Sequence, residues 1–288
     1  MDAQLADVVK LLDLEPLEVN LFRGESRDIG APQVFGGQVL GQALAAASRT
    51  VEGRIAHSLH AYFLRRGDFN APIIYDVDRS RDGHSFSSRR VVAIQHGEQI
   101  FNMAASFQVV EDGLDHQIEM PRVPGPEELP DQSEQMRALM DRMPERQRRI
   151  ASKPRPFEFR MVQPLEPPNR TPSRQVWLKA TSALPDDETL HRCLLAYVSD
   201  YYLLDTSMLP HTTALISDNV IMASIDHAMW FHRPLRVDEW LLYVLESPSA
   251  SGARGFARAS VYSRDGRLVA STAQEGLLRV VENERGRA

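Results

Sequence analysis

His60-Ala61-Tyr62-Phe63-Leu64-Arg65-Arg66 returns later in the chain as His227-Ala228-Met229-Trp230-Phe231-His232-Arg233, at an offset of 227 − 60 = 167. Further on, Gln95-His96-Gly97-Glu98-Gln99-Ile100 is echoed by Arg264-Asp265-Gly266-Arg267-Leu268-Val269, at 266 − 97 = 169. Two echoes at nearly one interval read as a duplicated unit. Copies of a unit diverge, so one can keep a chemical site while the other becomes scaffold.

Working outward from the first copy, Leu5, Val8, Val9 and Leu12 fall at helical spacing within 4–13, and Leu21-Phe22-Arg23-Gly24 reads as a short strand and turn. Phe35 to Ala47 reads as a helix in which Gly37 and Gly41, four apart, share a face. Glycine inside a helix costs about 1 kcal/mol against alanine, so its use here points to the close approach of another backbone, as when a sheet wraps a helix. Neither a Lys-Ser/Thr after Gly36-Gly37 nor a Gly-x-Gly-x-x-Gly is present, which leaves a phosphate loop without support. Strand signals follow over 57–65, 72–79, 86–96 and 99–108, with Asp82-Gly83 and His96-Gly97 as turns. One helix followed by antiparallel strands is an α+β pattern, a curved sheet around a central helix.

Residues 121–172 break the pattern. They hold eleven of the eighteen prolines, among them Pro121, Pro124, Pro126, Pro130, Pro154, Pro156, Pro164, Pro167, Pro168 and Pro172, around a charged helical piece from Arg137 to Arg149. Prolines stiffen such a connector. The second copy opens with a strand over 175–180. A helix starts at Pro185-Asp186-Asp187-Glu188, where acids suit the first turn, and runs to about Leu204. Strands follow over 219–232, 239–247, 254–263 and 267–280, with Arg264-Asp265-Gly266 as a hairpin turn. The expected units are therefore 1–120, the connector 121–172, and 173–288.

The chain has 288 residues, 43% of them hydrophobic and 25% charged, with a net charge of −6. That is ordinary globular composition, without the basic footprint of a nucleic-acid binder. The pairs Arg65-Arg66 and Arg89-Arg90 read either as solvated rim or as partners for a phosphorylated small molecule. Cys193 is the single cysteine, so no intrachain disulfide forms and a reducing compartment is expected. No signal-peptide pattern opens the sequence, no apolar run approaches the roughly 20 residues of a membrane span, and Glu284 to Ala288 is not a peroxisomal address. A cytoplasmic protein is the expectation, with neither nucleic acid nor membrane as partner.

On the second long helix Leu190, Leu194, Tyr197 and Tyr201 form an apolar stripe, and Asp200 lands on its edge beside Cys193 and Tyr197. A carboxylate against an apolar face is costly unless hydrogen-bonded or useful; from this helix alone an exposed Asp200 reads as well as a functional one. Period-two alternation puts Ser224 on the face of Met222 and Asp226, where it reads as a packed hydroxyl. His227 reads as a core histidine, with His60 as a counterpart that supports a structural role. Gln274 shares a face with Thr272 and Gly276, and an amide among such neighbours needs partners.

The chain resembles bacterial acyl-CoA thioesterase II, the TesB-like family of double hotdog enzymes. The carriers are Leu21-Phe22-Arg23-Gly24, the stretch Gln33 to Leu44, His60 to Arg65, Ile225 to Pro234, Ala253-Arg254-Gly255-Phe256 and Ala270 to Gly276. They run in one order through nearly the whole chain. The resemblance implies an aspartate on the second helix, a threonine or serine in the next strand and a glutamine in the last strand that bind and activate water. The matching positions are Asp200, Ser224 and Gln274. Serine in place of threonine keeps the hydroxyl and loses a methyl, which loosens its positioning. The first copy has no matching triad, since Gln42 and Ala43 occupy its helix and Ala105 aligns with Gln274. It reads as scaffold and tunnel wall.

What the resemblance implies is an enzyme without cofactor or metal that hydrolyses fatty acyl-CoA and assembles as a dimer or larger homo-oligomer. The chemistry is reasonable: a thioester is electrophilic and thiolate leaves readily, so water held by Asp200 as general base suffices, with a backbone N–H at a helix start to polarise the carbonyl. No Gly-x-Ser-x-Gly marks an α/β-hydrolase elbow, no His-Glu-x-x-His or Cys–His cluster marks a metal site, and a lone helical Cys193 reads as inert core. Two alternatives stand beside this reading. A hotdog enoyl-CoA hydratase would want an Asp/His pair across the site, whereas Asp226 and His227 point to opposite faces of a strand. A non-catalytic acyl-CoA-binding protein would need the triad to be inert.

Overall fold

The computed structural model describes residues 1–163, 171–211 and 219–281; Pro164, Pro167 and Pro168 of the connector and the chain end at 282–288 lie outside them. The first half contains α1 (Ala3–Leu12), β1 (Glu15–Glu18), β2 (Leu21–Gly24), α2 (Gly36–Ser48), β3 (Ile55–Phe63), β4 (Ile73–Asp82), β5 (Phe86–Gln95) and β6 (Glu98–Gln108). Then come α3 (Gln132–Leu139), α4 (Glu145–Ala151) and β7 (Phe157–Met161). The second half contains β8 (Ser173–Ala180), α5 (Glu188–Ser199), α6 (Leu203–Thr206), β9 (Val220–Ser224), β10 (Asp226–Phe231), β11 (Leu241–Ser251), β12 (Arg254–Ser263) and β13 (Leu268–Val280).

Among the described residues the strands form one antiparallel sheet in the order β1-β2-β4-β5-β6-β3-β10-β13-β12-β11-β8-β7, with β9 also on β13. The run β2-β4-β5-β6-β3 is mirrored by β10-β13-β12-β11-β8, so the duplication heard in the sequence is the symmetry of the sheet. The two halves join where β3 pairs with β10, and the echoed dipeptides meet there: Ala61 lies opposite His227 and His60 opposite Ala228.

This register corrects one expectation. Opposed residues in an antiparallel pair share a face, so His227 shares the inward face with Ala61, not with its sequence echo His60. His227 is fully buried, while His60 is exposed and meets Trp230 edge to face at 5.2 Å between ring centroids. The echo at 167 is one residue out of step with the pairing, and His60 gives no support to the role of His227.

Two helices sit inside the sheet. In α2 every residue from Gly37 to Ala47 is buried, and in α5 every residue from His191 to Ser199. A helix buried all round must be enclosed on all sides. α2 packs against β3, β4, β5 and β6 as well as against α5, and residues of both halves share one apolar core. The helix starts follow local chemistry: Asp2 accepts hydrogen bonds from the N–H groups of Gln4 and Leu5 to cap α1, and Asp187 accepts from Leu190 to cap α5. The hairpin glycines expected at 97 and 266 take positive φ values of 77° and 89°, a conformation open to glycine at little cost.

The connector has more structure than its prolines suggested. Its charged piece is two helices rather than one, broken by a 3₁₀ turn at Met140–Arg142 and by Pro144 at the start of α4. Met136, Leu139 and Met143 give it a small core of its own. Phe157, Phe159 and Met161 alternate inward along β7, which pairs with β8; this strand was hidden in sequence by the surrounding prolines. No helix among the described residues is long and apolar enough to cross a membrane.

Candidate active site

The site begins with two glycines. A Cβ at Gly37 would lie 2.1 Å from the carbonyl oxygen of Tyr197, and one at Gly41 would lie 3.0 Å from that of Cys193. The close approach expected of this glycine face is therefore made, and its partner is a helix: α2 and α5 pack antiparallel, backbone against backbone. The start of α2 is brought against the end of α5. α2 has Phe35 at its N-cap position and no side-chain cap of its own. Asp200, the C-cap residue of α5, supplies one: its Oδ2 accepts the Gly37 N–H at 2.9 Å. An acid at the end of its own helix is disfavoured by that helix's dipole, and the positive start of α2 offsets this.

Gln274 on β13 donates from Nε2 to Asp200 Oδ1 at 2.8 Å, and Ser224 Oγ stands 3.4 Å from the same oxygen, at the outer limit of a hydrogen bond. All three residues expected from the sequence thus come together, from α5, β9 and β13. The sequence expected one strand over 219–232. The structure has two, because pairing with β13 steps by one residue between Ser224 opposite Gly276 and Ala228 opposite Ala273. Such a bulge re-aims side chains. Ser224 and His227 are three apart and would lie on opposite faces of an unbroken strand; with the extra residue both face inward. Asp226 turns the other way, and its Oδ1 accepts the backbone N–H of Glu275 at 2.6 Å. It is not paired with His227, as the hydratase reading would require.

His227 was not expected at the site. Its Nδ1 lies 3.3 Å from Gln274 Nε2, and its Nε2 lies 3.0 Å from Ser199 Oγ and 2.9 Å from Thr272 Oγ1. The signal available in sequence was the inward face of Thr272 and Gln274 in the neighbouring strand, but the bulge that aligns His227 with it cannot be read from alternation. The first half also contributes more than wall, through the α2 N-terminus and the Gly37 N–H.

Burial raises the pKa of Asp200 above the ordinary carboxylate value, against the opposing pull of the hydrogen bonds from Gln274, Gly37 and Ser224; part of its surface nevertheless stays open to solvent. Burial alone lowers His227 to about 3, so the ring is neutral. It also raises the Cys193 thiol to about 12, which removes the thiolate a nucleophile would need. Among the described residues no three His, Cys, Asp or Glu side chains are grouped to hold a metal ion.

Aromatic rings cluster around the end of α5. Phe35 meets Tyr197 at 5.2 Å and Tyr201 at 4.8 Å between centroids, and Phe159 meets Tyr201 at 5.5 Å. Tyr202, a non-glycine residue at φ 65°, separates α5 from α6. Tyr202 is held by the connector, receiving a hydrogen bond from Arg155 at 2.6 Å and donating to Gln132 at 2.6 Å. A cleft opens at the Tyr197–Tyr201 wall, with Arg27, Lys153, Arg155 and Ile150 on its other sides.

The chain matches the model of an acyl-CoA thioesterase family over residues 155–277 and that of an acyl-CoA thioesterase N-terminal domain over residues 23–108. It is 44% identical over 282 residues to acyl-CoA thioesterase 2 of Haemophilus influenzae, covering 96% of this chain and 99% of the relative. A solved structure of an acyl-CoA thioesterase II from Mycobacterium marinum superposes with a TM-score of 0.79 at 42% identity, covering 95% of this chain and 98% of that one. A hot dog protein of unknown function from Alicyclobacillus acidocaldarius, 18% identical, superposes with a TM-score of 0.76 over 96% of this chain and 99% of its own, a likeness of fold. The α+β double hotdog expected from the sequence is the fold observed.

Proposed function

The chain belongs to the acyl-CoA thioesterase family, and on that premise we propose that it hydrolyses fatty acyl-CoA to free fatty acid and CoA with a water activated by Asp200, Ser224 and Gln274. The observation that carries this reading is a desolvated carboxylate with three hydrogen-bond donors around it and an accessible edge. Burial raises its pKa, the direction in which a carboxylate becomes a better general base.

In the proposed reaction Asp200 takes a proton from water as the water oxygen attacks the thioester carbonyl carbon. The tetrahedral intermediate collapses by breaking the carbon–sulfur bond, and the thiolate leaves with the proton that Asp200 held. One water is consumed and the acid and the thiol are released. Gln274 fixes the carboxylate through Nε2, and Ser224, standing off at 3.4 Å, orients the water, which can bridge what the hydroxyl reaches only weakly. The start of α2 contributes positive charge beside the developing oxyanion. Beside the rings of Tyr197 and Tyr201 the cleft is bordered by Arg27, Asp28 and Lys153, with Lys153 ion-paired to Asp28.

Around this centre we place an N-terminal unit at 1–120, a connector at 121–172 and a C-terminal unit at 173–288 that carries Asp200, Ser224 and Gln274. We further propose a cytoplasmic homo-oligomer acting in fatty-acid metabolism; the location is supported by the single cysteine, Cys193, which is unpaired and buried, as suits a reducing compartment. The test is thiol release from a panel of acyl-CoAs of short to long chain, with loss of enoyl-CoA absorbance measured in parallel. Hydrolysis of saturated acyl-CoA supports the proposal. Turnover of enoyl-CoA without thiol release would move the reading to a hydratase, and saturable binding without any turnover would move it to a binding protein.

A further inference from the structure

Thr272 and Ser199 set the direction of a chain of hydrogen bonds through His227. Thr272 Oγ1 donates to the Ala228 carbonyl at 2.8 Å, and Ser199 Oγ donates to the Ala196 carbonyl at 2.9 Å. Each hydroxyl has one proton to give, so toward His227 both can only accept. The neutral ring therefore carries its proton on Nε2, shared between the two oxygens at 3.0 and 2.9 Å, and Nδ1 is left as an acceptor. Its partner is the Gln274 amide nitrogen at 3.3 Å, and the other proton of that nitrogen goes to Asp200 Oδ1 at 2.8 Å. A flipped amide would set Gln274 Oε1 against both Nδ1 and the carboxylate, acceptor against acceptor. The ring is fully buried, and burial keeps it neutral, so the chain keeps this direction at working pH.

We infer that His227 is a positioning residue: by accepting at Nδ1 it fixes the Gln274 amide so that its N–H, and not its carbonyl, faces the Asp200 carboxylate. The inference rests on the thioesterase reading above. It assigns a task to a buried histidine that neither touches the carboxylate nor titrates near neutrality. It also gives the bulge between β9 and β10 a purpose, since without the extra residue His227 would face away from Gln274.

The ring nitrogens can be replaced one at a time. In His227→Asn the side-chain oxygen can occupy the place of Nδ1 and keep the acceptor while the Nε2 donor is lost. In His227→Gln the amide can reach Thr272 and Ser199 but leaves the place of Nδ1 empty. Both lose packing, and thermal melting identifies the folded fraction. We expect kcat for acyl-CoA to fall about tenfold or more in His227→Gln, with KM within about threefold of wild type, and to stay within about threefold in His227→Asn. In a Gln274→Ala background, His227→Gln should cost no further kcat, because its effect passes through Gln274. Equal kcat losses in the two His227 variants, or an undiminished loss in the Gln274→Ala background, would make His227 a packing residue and overturn the inference. A folded Gln274→Ala enzyme with wild-type kcat would instead overturn the role of Gln274 in the underlying proposal.

Discussion

Replacing Asp200 with asparagine separates chemistry from architecture, because the two effects have different sizes. The carboxylate accepts the Gly37 N–H on one oxygen and the Gln274 N–H on the other, with Ser224 close by. Asparagine has one oxygen. In either orientation its NH₂ group confronts a donor, Gly37 in one and Gln274 in the other. A buried donor left unsatisfied costs about 1–3 kcal/mol. Removing a desolvated carboxylate, whose raised pKa shows that burial disfavours its charge, returns part of that. The net loss of stability should be no more than about 2 kcal/mol, a fall in Tm of roughly 4–8 °C for a chain of this size. The kinetic effect should be larger, since loss of a general base costs about 10²–10⁴ in rate, or roughly 2.7–5.4 kcal/mol of barrier. Thiol release on wild type and Asp200→Asn, with folded fraction read from circular dichroism, should show kcat down at least about 100-fold with KM within about threefold. Wild-type kcat should fall with decreasing pH above the ordinary carboxylate range, as Asp200 protonates, while the residual rate of the variant lacks that limb. A folded variant with kcat within tenfold of wild type would refute the assignment of Asp200 as base.

Three further outcomes follow from the same geometry. Gly37→Ala puts a Cβ 2.1 Å from the Tyr197 carbonyl oxygen, so α2 and α5 must separate; denaturant unfolding should show a loss of about 1–3 kcal/mol or more, and kcat should fall with the Gly37 contact to Asp200. His227, ordinarily at 6.5, is held at about 3 when folded; the folded state then binds fewer protons than the unfolded chain, so its contribution is complete above pH 6.5 and is lost as the pH falls from there toward about 3, to a limit of about 5 kcal/mol. Between pH 7 and 4 the unfolding free energy of His227→Gln should therefore decline less than that of wild type. Cys193, buried and raised to about 12, should resist a thiol reagent in the native enzyme and react once the protein is unfolded in denaturant; rapid native reaction would contradict its place in the core.

The duplication, the α+β class and the three converging residues were legible in the sequence, the last through resemblance. Local patterning reached far on its own where one face is buried and chemistry is local: the glycine face of α2, the cap at Asp187, the inward face of Thr272, Gln274 and Gly276. It failed where pairing overrides alternation. Nothing in Ser224-Ile225-Asp226-His227 announces a bulge, because a bulge is set by register with β13, a long-range property. The same failure made His60 look like a counterpart of His227. β7 was missed because the prolines around it outweighed the short Phe157–Phe159–Met161 alternation. The contribution of Gly37 was missed because a capping partner from another helix leaves no mark near the cap.

That last point explains how a duplicated fold can hold a one-sided site. Two antiparallel helices bring two pairs of ends together, and the dipoles favour an acid at each helix start and a base at each end. At one pair both helices are finished in the ordinary way: α5 starts with its own cap, Asp187, and α2 ends at Arg49, which is ion-paired with Asp13. At the other pair α2 starts at Phe35 with no side-chain cap, and α5 ends in Asp200, an acid where a base would be favoured. Each defect is the remedy for the other. The carboxylate is held by a backbone N–H from the other half of the chain and is buried by the packing that brings it there, which raises its pKa. A single copy could not make this arrangement, and two identical copies would make it twice. Divergence at the opposite helix ends, with Arg49 at one and Asp187 at the other, leaves one site.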